Sequence, residues 1–207
     1  MFLSVLNYGK ITLHISINIS MSMAWNVFLA LIAYDFSYLA INSGRRLIQG
    51  IAGFFWLIFY PNTFYVLTDA KHFADWFDLS KLKSFSNLRT ILDFNVLIFG
   101  IIFGVILGAW SIQLILHHFV KNNYLKAVLL FVISFLSSIG IFVGRSEALR
   151  LNSWDLVFHP WETLMLIIHS ISASNMGFFL TFTFCQLALI ALFYLAPHLG
   201  DWNRRGE

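Results

Sequence analysis

Residues 96–116 read VLIFGIIFGVILGAWSIQLIL, a run without a single charged side chain. A helix of about 20 apolar residues, rising about 1.5 Å per residue, crosses the roughly 30 Å hydrocarbon core of a bilayer. Because no water is available there, every backbone amide must find its partner within the segment, as it does in a helix. The stretch therefore predicts a transmembrane α-helix.

The composition of the whole chain agrees with this prediction. Of its 207 residues, 59% are hydrophobic and only 11% are charged, whereas ordinary soluble domains carry about 25% charged residues. This excludes a soluble domain, and the 18% of aromatic residues excludes a disordered chain. The thirteen Lys and Arg form no long basic run, so we expect no nucleic-acid partner.

Other stretches of the chain have a similar length and apolar character. They are residues 21–41, 47–67, 127–144 and 176–196. A shorter stretch, 161–171, has its apolar residues at helical spacing and begins after Pro160, which predicts an amphipathic helix at the membrane interface, with a re-entrant helix as the alternative. We therefore expect an all-α fold, a polytopic transmembrane helical bundle of about five spans plus a short amphipathic interfacial helix.

The spans define the expected domain organisation and topology. We expect a peripheral segment over residues 1–20, one transmembrane domain over 21–199 and a polar tail over 200–207, in a multi-pass protein of the cell membrane. Lys and Arg divide almost evenly between the two sides. On one side, however, they lie in short loops with few acids, which favours a cytoplasmic C-terminus.

Small residues recur every fourth position in two spans. Gly100, Gly104 and Gly108 lie in the third span, and Gly140 and Gly144 lie in the fourth. Such stripes let helix backbones approach closely in lipid. They favour packing within one monomer, with a homodimer through Gly100, Gly104 and Gly108 as the alternative.

An acid, Asp35, lies within the first span. A charged side chain at the centre of a membrane helix costs about 2.5–3.5 kcal/mol on insertion scales. We therefore expect Asp35 to face the bundle or to reach toward a partner such as Arg45, Arg46 or His117 near the interface, and a proton or ion role is the alternative.

Polar segments follow the second and fourth spans, and a five-span topology places both at the same membrane face. Pro61 removes an amide donor and predicts a kink, where Asn62 can bond the exposed backbone. Asp69 and His72 have the spacing of one helix face. After the fourth span, the sequence Asn-Ser-Trp-Asp over 152–155 predicts a turn or a helix cap.

The polar segments supply the candidate site residues. They are Asp69, His72, Asp78, Arg145, Asn152 and Asp155. Three interpretations remain open. The acids and the imidazole can hold a divalent metal at Asp69, His72 and Asp78 while arginine binds an anionic substrate. His72 can act as a general base oriented by an acid. The acids and arginines, Arg150 included, can instead pair into a structural lid.

The same motifs carry a family resemblance over most of the chain. They are residues 25–30, 60–62 with Tyr65, 68–72, 144–145 and 152–155. The chain resembles the bacterial integral-membrane family catalogued as domain of unknown function thirteen-sixty-one. The resemblance implies a multi-pass bacterial membrane protein and carries no established activity. The first span departs from the family pattern, with Ala33 where a proline often stands and with the additional Asp35.

Two functional hypotheses follow from these residues. The first is a small membrane enzyme that acts on a lipid-linked or amphipathic cell-envelope substrate. In it, His72 and Asp69 serve as base or metal ligands and Arg145 binds an anion. The second is a non-catalytic membrane transport or assembly subunit, in which the polar residues form a structural lid.

Overall fold

The computed structural model describes residues 23–70, 88–146 and 151–202, and within them the fold is all helical with no strand. The helices are α1 (Met23–Asn42), α2 (Arg46–Phe59), α3 (Pro61–Tyr65), α4 (Leu88–Phe119), α5 (Asn123–Arg145), α6 (Asp155–Phe158), α7 (Pro160–Ser170) and α8 (Ala173–Trp202). A 3-10 turn, Val66–Ala70, continues α3. The predicted all-α class is confirmed.

In the described part of the chain, five helical segments are long and apolar enough to cross a membrane. They are Met23–Asn42, Arg46–Ala70, Phe94–Phe119, Asn123–Arg145 and Ala173–Tyr194. We call them spans one to five; each begins and ends within a few residues of its sequence prediction. The chain is a multi-pass membrane protein. The expected peripheral segment 1–20 and the last residues of the expected tail, 203–207, lie outside the described residues.

Successive spans run in opposite directions, so the bundle has two ends. We call the end that carries Asn26, Asp69, Arg145 and residues 151–172 the Asp69 face. The other end carries the short connections 43–45 and 120–122 and is called the His117 face.

Span two is interrupted where the sequence predicts a kink. α2 ends at Phe59 and α3 begins at Pro61. The amide of Thr63 donates to the carbonyl of Tyr60 at 3.1 Å, which leaves the Phe59 carbonyl without its usual helical donor. The Asn62 side chain donates to that carbonyl at 2.9 Å. The predicted role of Asn62 is confirmed. Its side chain replaces the helical hydrogen bond that the Phe59 carbonyl lacks at the break.

The glycines of span three pack against the broken part of span two and the start of span one. A Cβ at Gly104 would lie 2.7 Å from Val66, and one at Gly108 would lie 2.5 Å from Thr63. A Cβ at Gly100 would collide with the side chain of Met23. The packing is thus within one chain, and its partners are span two and the start of span one. Self-association through Gly100, Gly104 and Gly108 stays a prediction that would require these contacts to separate.

Span four packs against the same segment from the other side. A Cβ at Gly140 would lie 3.0 Å from Cγ of Pro61, and one at Gly144 would lie 3.3 Å from the Tyr65 ring. Four of these glycines, Gly104, Gly108, Gly140 and Gly144, therefore converge on residues 61–66, and this close approach positions the turn that carries Asp69.

Spans four and five are joined by buried polar side chains. The Gln186 side chain donates to Oγ of Ser138 at 2.9 Å and to the carbonyl of Ser134 at 3.2 Å. The hydroxyls of Ser138 and Thr183 lie 3.0 Å apart. Hydrogen bonds of this kind between membrane helices contribute about 0.6 kcal/mol each on average.

The short helix predicted over 161–171 is confirmed as α7, with Pro160 as its first residue. Ile167 packs beside Val143 and Phe179, whereas Leu164 and Ile168 are exposed. One side of α7 is thus held by spans four and five, and its other side presents apolar residues to the surroundings.

The expected pairing of Asp35 is wrong. Its side chain is exposed on α1 and forms no ion pair with Arg45, Arg46 or His117, all of which lie within the described residues. The helical rotation turns Asp35 away from the interior, because the buried positions of α1 near it are Ala33, Ser37 and Ala40.

Candidate functional site

A carboxylate held by two other spans lies at the centre of the Asp69 face. Asp69 is in the 3-10 turn at the end of span two and is only 3% exposed. Its Oδ1 accepts a hydrogen bond from Nη2 of Arg145 at 3.0 Å, and its Oδ2 accepts one from Nδ2 of Asn26 at 2.7 Å. Both oxygens are engaged, so the acid ties spans one, two and four together.

Tyr65 supports the arginine of this cluster. The guanidinium of Arg145 lies over the Tyr65 ring, 4.9 Å from its centroid. Nη1 of Arg145 donates to the Tyr65 hydroxyl at 3.4 Å, and that hydroxyl donates to the Gly144 carbonyl at 3.4 Å. A cation above an aromatic ring is stabilised by the ring's negative face. Tyr65 therefore sets the position from which Arg145 reaches Asp69.

The segment after span four is fastened to span two. Nδ2 of Asn62 donates to Oγ of Ser153 at 2.8 Å, so one amide group serves both the helix break and this segment. The Trp154 ring stands edge-on to Phe59, with centroids 4.8 Å apart. Residues 151–154 are thereby held against the broken part of span two.

Asn152 and Asp155 form a local turn. Oδ2 of Asp155 accepts from the backbone amide of Asn152 at 2.6 Å, and the amide of Asp155 donates to the Asn152 carbonyl at 3.0 Å. The predicted turn is confirmed. The pair shares no hydrogen bond with Asp69 or Arg145, so the structure brings the described candidates together as two separate pairs.

The remaining candidates cannot be placed in this geometry. His72, Asp78 and Arg150 lie outside the described residues. Of the suggested metal ligands, Asp69 alone falls within them, and no group of three or more His, Cys, Asp or Glu side chains converges there. A metal at Asp69, His72 and Asp78 stays a prediction.

Comparison with known proteins gives one match. A family model described as a protein of unknown function, DUF1361, matches residues 25–189. The chain belongs to this family. The part matched by DUF1361 contains Asn26, Asp69, Arg145, Asn152 and Asp155. The search of curated proteins found no match, and neither did the search of solved structures.

In this DUF1361 chain, Asn26 is a partner of Asp69 that is not among the sequence-predicted site residues. It lies in the motif 25–30 that carries the family resemblance, and an amide within an apolar span is a signal in itself, because a buried polar group requires a partner. Its separation of 43 residues from Asp69 hides the pairing from any local pattern.

The DUF1361 cluster has a definite chemical limit. A carboxylate acts as a base or a ligand through a free lone pair that faces its substrate. Each oxygen of Asp69 already accepts a charged or amide N–H, and the side chain is almost fully covered. In this conformation the cluster joins helices, and its burial means that a substrate reaches Asp69 only after a neighbouring side chain moves.

Proposed function

We propose that the chain is a non-catalytic subunit of a membrane transport or assembly system, in which the Asp69 cluster fastens the bundle at one membrane face. The observation that carries the proposal is the double engagement of Asp69, by Arg145 at 3.0 Å and Asn26 at 2.7 Å. These two bonds and the almost complete burial of the side chain favour a structural role for the acid.

The cost of separating Arg145 from Asp69 supports the same role. Removing one partner of a buried ion pair leaves an uncompensated charge and costs about 3–5 kcal/mol. Arg145 is only 22% exposed at its side chain, so solvent screens this pair little. An ion pair that is costly to break holds helices together well. A catalytic acid, in contrast, has to exchange its hydrogen-bond partners during the reaction.

Variants of Asp69 and Arg145 distinguish a structural ion pair from a catalytic role. Asp69→Ala and Arg145→Ala should each lower the melting temperature of the detergent-extracted protein, and loss of function in a cell that lacks the native copy should follow the loss of folded protein. The exchange Asp69→Arg with Arg145→Asp restores opposite charges at swapped positions. It should recover the melting temperature and function in part and in parallel, because the ion pair returns while the Asn26 bond and the Tyr65 contact are lost. Recovery of the melting temperature without function contradicts the proposal.

A second candidate function rests on Arg145. Its Nε is buried and has no hydrogen-bond partner, so one donor of the guanidinium is unused. The Arg145 side chain as a whole is 22% exposed. A polar pocket at the Asp69 face could accept a lipid-linked or amphipathic envelope substrate, with Arg145 binding its anionic group and His72 and Asp69 acting as base or metal ligands. If the chain is such an enzyme, His72→Ala should abolish function and leave the melting temperature unchanged.

The proposed location is the membrane of a bacterial cell, with the C-terminus in the cytoplasm. The support comes from Arg45, Arg46, Lys121 and Lys126, which lie in or next to the two short connections of the His117 face. Short loops that are rich in Lys and Arg remain on the cytoplasmic side. Span five ends at the same face as these connections.

A further inference from the structure

A groove opens between spans one and three at the His117 face. It is an open hollow of about 590 Å³. Ile41 of α1 and Leu114 and Trp110 of α4 supply apolar walls. Trp110 is 53% exposed. Both helices are long and apolar enough to cross a membrane, which places these walls at hydrocarbon depth.

The end of the groove nearer the membrane surface is polar. Gln113, His117 and His118 line it from the last turns of α4. Nδ1 of His117 lies 3.4 Å from Nζ of Lys126, which comes from the first turn of α5. An ammonium group has three donors, so Lys126 keeps donors for a ligand after it meets His117.

Further cations lie in the connections of the His117 face, which is the face of this polar end. Arg45 lies in the connection after α1, Arg46 begins α2, and Lys121 lies in the connection between α4 and α5. The acid closest in sequence to a lining residue is Asp35, next to Tyr34 at the deeper end of the groove. It stands one helical step of about 100° around α1 from Tyr34. Charge thus separates along the groove, with cations at the surface.

We propose that this groove binds a glycerophospholipid with an anionic headgroup from the leaflet at the His117 face. The phosphate lies against Lys126 and His117, and an acyl chain follows Ile41, Leu114 and Trp110 into the membrane. Basic pockets between membrane helices bind anionic headgroups in this way. The cationic mouth favours this occupant over an apolar helix, which would leave Lys126 without an anion.

The experiment uses the full chain in nanodiscs and follows tryptophan fluorescence. Phosphatidylglycerol with brominated acyl chains quenches a tryptophan that it touches, and brominated phosphatidylcholine is the neutral comparison. Quenching by phosphatidylglycerol should exceed quenching by phosphatidylcholine at equal mole fraction, and the excess should vanish in Trp110→Phe. Equal quenching by the two lipids, or an excess that survives Trp110→Phe, overturns the proposal.

Charge variants test the headgroup contact. Lys126→Gln should weaken the phosphatidylglycerol preference about five-fold, since one lysine at an anionic lipid contributes about that factor. Lys126→Arg should retain it. His117→Gln should weaken it less, and the same change at His159, which is exposed at the Asp69 face, should leave it unchanged. An undiminished preference in Lys126→Gln that shows an unchanged melting temperature contradicts the assignment.

Discussion

Gly108 of α4 lies so close to Thr63 of α3 that a Cβ at position 108 would stand 2.5 Å from the threonine Oγ1 and 2.7 Å from Phe64. Thr63 and Phe64 are fully buried, and the Thr63 hydroxyl donates to the carbonyl of Tyr60 at 2.8 Å. Neither Thr63 nor Phe64 can therefore move aside easily. Spans two and three meet here with no room for a side chain on the glycine.

The first prediction follows from that contact. Gly108→Ala should lower the free energy of unfolding by about 1–3 kcal/mol, the usual cost of an added methyl group in a packed core. Gly53→Ala is the matched control, because a Cβ at Gly53 meets nothing within 4 Å. That change should be neutral or stabilising, since alanine favours a helix by about 1 kcal/mol over glycine. Denaturation of the detergent-solubilised protein measures both, and equal effects would contradict the packing.

The second prediction concerns the ion pair between Arg145 and Asp69. Asp69→Asn and Arg145→Met should each cost about 3–5 kcal/mol because each leaves one buried charge alone. The double variant should cost much less than the sum, since it removes both charges. Asp155→Asn is the control: it changes a local cap, and its cost should be near 1 kcal/mol. Additive single effects would show that the two residues do not interact.

The third prediction separates the two tasks of Asn62. Asn62→Ala removes the bond to the Phe59 carbonyl and the bond to Ser153. Ser153→Ala removes only the second. Each buried hydrogen bond contributes about 1 kcal/mol, and an orphaned carbonyl costs about 1–3 kcal/mol. We expect Asn62→Ala to be the more destabilising, and in its background Ser153→Ala should have little further effect on the melting temperature.

The fourth prediction concerns orientation. A green fluorescent protein fused after residue 207 should fluoresce, and alkaline phosphatase fused there should be inactive, because the C-terminus faces the cytoplasm in the proposed topology. Fusions after residue 172, at the Asp69 face, should give the opposite pattern. Activity of the phosphatase at the C-terminus would reverse the assignment of both faces.

Much of the fold could be predicted because the bilayer imposes length and composition on each span. Residues 96–116, predicted as a span, lie within span three. Pro61 and Asn62 predict the break in span two because a proline lacks the amide donor and an asparagine can bond the exposed backbone. Glycine spacing indicated close packing, although it could not say that span two was the shared neighbour.

The site was less predictable because its contacts are distant in sequence. Arg145 lies 76 residues from Asp69, and Asn26 lies 43 residues from it. Several cations were available at the same face, and which of them meets Asp69 depends on the rotation of span four about its axis. The same dependence on rotation explains why Asp35 is exposed and not paired with a nearby base.

The order of synthesis gives the Arg145 contact with Asp69 a further meaning. Span two is made before span four, so a nascent chain that ends before residue 145 has inserted Asp69 without its counter-ion. The bundle can close at the Asp69 face only when the fourth helix arrives and its glycines settle against Pro61 and Tyr65. The pair therefore forms only when four of the five spans have been made, and a chain that stops before residue 145 lacks the arginine that Asp69 meets in the full bundle.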